Sequence, residues 1–199
     1  MSSSSQATLA DPSPPTCLVF ERNSMLETTI LRHASPVYRV STNRHGSTTE
    51  VCVPGTHTII ARIVRKEILP DTVAFSDTNG GKAVRVSRWL KRTKQADGRS
   101  EAILETDIGA CILRTHPDYR LALYDADLST IVAHWAPLTR PPSPPTLVLA
   151  PGIERSQVKI LVAFLCEEQK LRIAEKNSTV KAAAYRAKGR YWTAPMGEN

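Results

Sequence analysis

The chain has 199 residues, enough for one substantial core of roughly 150–170 residues with loose ends and too few for two full domains. Apolar residues make up 41% and charged residues 23%, an ordinary globular balance that indicates neither wholesale disorder nor a membrane-embedded protein. The net charge of +7 points to a partner, because a basic surface attracts the phosphates of nucleic acid or of acidic lipid head groups.

Residues 1–16 are rich in serine and proline and carry no apolar period, which predicts a disordered leader. They lack the basic start and apolar stretch of a secretory signal. The expected compartment is therefore intracellular, chiefly cytoplasmic, with nuclear or membrane-peripheral residence as alternatives.

From Cys17 to Ala150, short runs of Val, Ile, Leu, Tyr and Thr alternate with turn formers, the pattern of many closely spaced strands. About twelve are predicted, at 18–21, 26–31, 37–42, 47–53, 58–66, 72–76, 82–86, 101–106, 111–115, 119–124, 130–135 and 146–150. Turn chemistry separates them, most clearly at Asn79-Gly80-Gly81, residues that tolerate positive φ, and at His116-Pro117-Asp118. Alternation within the runs buries one sheet face, and so many antiparallel strands hide their edges most simply by closing into a barrel or sandwich. Asp125 and Asp127 could hold a cation, but a D-x-D after a strand reads as a turn. The proline run after Arg140 predicts a stiff surface connector, with a PxxP ligand as the alternative.

Beyond Gly152 the pattern changes. No glycine or proline interrupts 153–176, and Glu168 and Arg172 stand at i, i+4, so one continuous helix of about 36 Å is predicted. Its first half, VKILVAFLC, is apolar at eight positions of nine and must be surrounded by protein. A last buried strand over 158–165 is the competing reading. The run is too short to span a bilayer, so no transmembrane segment is expected. Residues 178–199 read as a basic, partly disordered tail, with a short helix about Ala182–Ala184 before a frayed end that carries Tyr191 and Trp192.

Few residues suggest chemistry. Cys17, Cys52, Cys111 and Cys166 are widely spaced, which predicts reduced thiols rather than zinc ligands or disulfides. The five histidines lie apart from any nucleophile elbow. No catalytic residue, metal or cofactor is expected, and the protein is read as a non-enzyme. The candidate site is the basic cluster Lys82, Arg85, Arg88, Lys91, Arg92 and Lys94, suited to anionic head groups; a solvated charged loop is the plainer reading. Lys91-Arg92-x-Lys94 also fits a short nuclear-import pattern, while nothing is arranged for specific nucleic-acid readout. The expected partner is an acidic membrane lipid, or else a protein met through the proline loop and the basic tail.

Phe20, Asn23, Leu26, Thr28 and Ile30, followed by Tyr38-Arg-Val-Ser-Thr42, resemble a fungal domain family of unknown function. So do Ile60-Ala61-x-Ile63, Trp89-Leu90, Leu121-x-Leu123-x-Asp125 and Val132-Ala133, and the likeness spans roughly residues 18–176. Ala110-Cys111-Ile112 departs from the aromatic residues of the family pattern. The resemblance implies a tubby-like shape, akin to LURP-one-related proteins and scramblases: a mainly β (α+β), twelve-stranded closed antiparallel barrel around a hydrophobic C-terminal helix. The barrel domain would cover 17–177.

Overall fold

The computed structural model describes residues 13–77, 79–94, 100–137 and 143–191, with Asn79 and residues 185–191 described through their backbone alone. Most of the expected leader, the centre of the proline connector and the end of the basic tail lie outside the described residues.

Thirteen strands form one antiparallel sheet. They are β1 Thr16–Phe20, β2 Thr28–Arg32, β3 Ser35–Thr42, β4 Thr48–Cys52, β5 Ile59–Val64, β6 Thr72–Phe75 and β7 Val84–Arg85. After the one-turn helix α1, Val86–Trp89, come β8 Leu90–Lys94, β9 Ser100–Thr106, β10 Gly109–His116, β11 Arg120–Tyr124, β12 Ile131–Trp135 and β13 Thr146–Leu149. Each expected strand is present near its predicted place. The thirteenth is β8, whose residues read in the sequence as a charged loop.

The sheet order runs β7-β6-β5-β4-β3-β2-β1-β13-β12-β11-β10-β9-β8. Its two edge strands are therefore sequence neighbours, separated only by α1, and the sheet has to roll round to bring them together. The expected closed barrel does not form. In an antiparallel sheet directions alternate, so the first and last of thirteen strands run the same way. Parallel neighbours need a crossover of roughly a dozen residues or more, and α1 supplies four. The gap is instead occupied by α1, whose Trp89 packs on Phe75 with ring centroids 5.2 Å apart. Both edges are guarded against further pairing: β7 is two residues long, and β8 carries Lys91, Arg92 and Lys94.

Strand periodicity places every second side chain on the concave face. Leu18 and Phe20, Ala61 and Ile63, Leu121 and Leu123, and Leu147 and Leu149 are all buried there. Cross-strand register aligns these positions in rows, as in Phe20↔Ile30, Ile63↔Val73 and Leu113↔Leu123.

Into this trough runs α2, Gln157–Tyr191, entered through a 3-10 turn over Glu154–Ser156. Gly152, at φ 89°, makes the reversal from β13, a backbone shape that L side chains rarely adopt. Ile160 to Cys166 are all buried in the same core as the strand residues. The stretch read as a swallowed helix is one, and the strand alternative is excluded. Each fully buried Leu, Ile or Phe contributes about 1.5–3 kcal/mol. The helix entry is fixed by Ser156 Oγ, which accepts from the Asp107 amide at 2.9 Å, and by Gln157 Nε2, which donates to Tyr38 Oη at 2.8 Å. The helix does not stop at Lys176: its 35 residues extend about 52 Å, and from Ile173 onward the described side chains are exposed.

Candidate functional site

The end of the roll from which α2 leaves is built by the loop after β1, the β10–β11 turn and the rim of β8. Antiparallel alternation puts the β3–β4 and β5–β6 connections at this same end. Here charge replaces the apolar lining. Arg120, at the start of β11, donates through Nε to Glu168 at 2.8 and 3.0 Å, and through Nη1 and Nη2 to Glu175 at 2.8 and 3.0 Å. Arg172 donates through Nε to Glu168 at 2.7 Å and through Nη2 to Asn23 Oδ1 at 2.6 Å. Glu168 is 2% exposed, so its charge is held by two guanidinium groups rather than by water. Hydrogen bonding by Arg120 holds the Glu175 carboxyl below the usual carboxylate range. Arg120 itself has a positive φ of 62°, an uncommon shape for a non-glycine residue.

Beside this clamp opens a cleft of about 670 Å³, bounded by Met25, Trp135 and Pro117 and rimmed by Arg120, Arg172 and Glu175. Its cations already bind carboxylates of the helix, which makes it a fastening rather than an anion site.

The basic cluster is divided by the geometry of β8. Leu90 points into the core, and Arg92, two residues on, lies on the same side. Arg92 Nη2 reaches both carboxylate oxygens of Glu167, at 2.5 and 2.6 Å, and Glu167 also accepts from Lys170 Nζ at 3.1 Å. Arg92 is thus part of the helix fastening. Lys91 points to the outer face, Arg88 is exposed on α1, Arg85 is exposed on β7, and Lys94 is exposed at the end of β8. Lys82 lies before β7, toward the opposite end of the roll. Lys82, Arg85, Arg88, Lys91 and Lys94 make no ion pair with another described residue. Four of the six named cations, Arg85, Arg88, Lys91 and Lys94, therefore follow the gap between the sheet edges with their charges open to solvent.

The remaining polar groups serve the scaffold. Asp125 accepts from the amides of Ser129 and Thr130 and from Ser129 Oγ, closing the turn after β11; these bonds lower its pKa. His116 Nδ1 accepts from the amides of Asp118 and Tyr119 in the β10–β11 turn. The four cysteines are free thiols. Burial pushes the Cys166 thiol up to about 11 and raises Cys111, so neither supplies a thiolate near neutral pH. Among the described residues no three His, Cys, Asp or Glu side chains converge as metal ligands, and no helix is long and apolar enough to cross a membrane.

Fold and site together define a mainly β domain, one large antiparallel sheet with a C-terminal helix, bearing a basic edge. The chain belongs to DUF6593, a family of unknown function whose model matches residues 23–173. No curated protein matches it. Among solved structures it is similar to an Arabidopsis thaliana protein determined by X-ray crystallography, at 11% identity and a TM-score of 0.43 over 79% of this chain and 93% of that one.

Proposed function

We propose that this domain is a tubby-like module of the fungal kind that docks on acidic phospholipid surfaces through the cations along its open sheet edge. One observation carries the reading: Arg85, Arg88, Lys91 and Lys94 line one gap, exposed and without a carboxylate partner among the described residues. Cations set this way are free to meet phosphate, whereas Arg92 is held by Glu167. The enclosed helix and rolled antiparallel sheet support the tubby-like assignment.

Each basic residue near an anionic surface contributes about 1 kcal/mol, so a triple variant Arg85→Ala, Arg88→Ala, Lys91→Ala is expected to bind about 100-fold more weakly. Sedimentation with vesicles containing phosphatidylserine measures this, with phosphatidylcholine vesicles as the uncharged comparison. Binding should fall as salt is raised, since the Debye length shrinks to about 3 Å at 1 M. Unchanged binding by the triple variant, or equal binding to uncharged vesicles, would remove the electrostatic reading.

A further inference from the structure

We propose that the β5–β6 loop, residues 65–71, is an insertion loop that places Ile68 and Leu69 in the acyl boundary of an acidic bilayer; the inference rests on the lipid reading above. Ile68 is 95% exposed and Leu69 60%, at the tip of a hairpin loop. Isolated exposed apolar residues are ordinary, but two large ones side by side on a projecting tip, beside cations, form an amphipathic contact.

The tip is held out from the body. Arg65 N donates to Ser47 O at 2.7 Å, and its Nη1 donates to Thr49 Oγ1 at 2.6 Å, which pins the loop's first residue to the neighbouring hairpin. Lys66 N donates to Asp71 Oδ1 at 3.1 Å, closing the loop's base. Pro70 limits the backbone just before that closure. With its base closed, the loop turns Ile68 and Leu69 outward instead of letting them fold onto the sheet.

The same base connects the tip to the basic edge. Val86 N, the first residue of α1, donates to Asp71 O at 2.8 Å, and Arg85 pairs in register with Thr72. Arg85 and Arg88 are thus carried beside the loop, with exposed Lys66 on the loop itself. The opposing charges are Glu67, exposed on the loop, and Asp71, whose carboxylate accepts from the Lys66 amide. Counting Arg65, Lys66, Arg85 and Arg88 against these two acids leaves a net positive rim round an apolar tip. That combination suits an acidic bilayer, where phosphates meet the rim and the apolar side chains pass below them.

The variant Ile68→Ser, Leu69→Ser changes no charge and, lying at an exposed tip, is expected to unfold at the wild-type temperature. On vesicles of equal phosphatidylserine and phosphatidylcholine it should sediment at least about tenfold more weakly than wild type, a loss set by the apolar area no longer buried. It should also lack the residual binding that wild type retains in high salt. Independently, Ile68→Trp should show emission quenched by brominated acyl chains beyond the wild-type background. Wild-type affinity in the serine variant, or no added quenching in the Ile68→Trp variant, would overturn insertion while leaving head-group binding intact. Failure of the wild-type protein to sediment with acidic vesicles would overturn both. If wild type instead stays in the supernatant as a dimer that the serine variant loses, insertion is overturned and the tip belongs to a second copy of the chain.

Discussion

Phe164→Ala should lower the unfolding free energy by about 3–5 kcal/mol, the range for deleting a large aromatic side chain from a packed interior. Phe164 is fully buried on α2 and meets Trp135 edge-on at 5.6 Å, while Trp135 meets Phe20 at 5.2 Å. One side chain therefore joins the helix to β12 and, through Trp135, to β1. A cavity at that point loses contacts on several sides, and the rows of strand residues facing it are too constrained by register to collapse inward. Val180→Ala, on the exposed part of the same helix, should change stability by less than about 0.5 kcal/mol. Urea unfolding of both variants measures the contrast. A Phe164→Ala loss below about 1 kcal/mol would mean that the helix is not enclosed.

The double variant Arg120→Ala, Arg172→Ala should cost about 3–5 kcal/mol at neutral pH, because it leaves the Glu168 carboxylate buried without a cation. Either single change should cost far less, since Glu168 keeps one guanidinium partner in each. Additivity should fail for this reason, as it does for residues that share a partner. Adding Glu168→Leu to the double variant should restore much of the loss, because no charge then remains to be buried. If the double variant costs only the sum of two small single effects and Glu168→Leu recovers nothing, the clamp is a set of solvent-screened surface pairs.

What can be read from the residues follows from how local each feature is. The twelve expected strands carry β-branched or aromatic runs bounded by turn formers, and VKILVAFLC declares its own burial. Leu90–Lys94 escapes such a reading because Leu90 is its only large apolar residue, and a cation-bearing edge strand looks like a solvated loop. The extra strand also defeats the expected closed barrel: twelve alternating strands can close antiparallel, and thirteen cannot. Beyond Lys176 a short helix about Ala182–Ala184 is legible, but its continuity with α2 is not, because the residues between bury nothing that would mark one helix.

The basic cluster is legible in the sequence as a composition but not as a surface. The partner that claims Arg92 lies 75 residues away in the chain, and the partners of Arg120 lie 48 and 55 residues away. Pairings of that separation exist only after the sheet has rolled. Within α2 the Glu168–Arg172 pair is readable from its spacing alone, because helix geometry fixes such neighbours.

Hydrogen exchange, followed segment by segment with and without phosphatidylserine vesicles, tests the enclosed helix and its basic edge in one measurement. The expected result is that residues 160–166 exchange only through global unfolding in both conditions, while vesicles slow exchange over 65–71 and 85–94. Rapid exchange over 160–166, or vesicle protection that falls elsewhere on the chain and spares both of those segments, would contradict it.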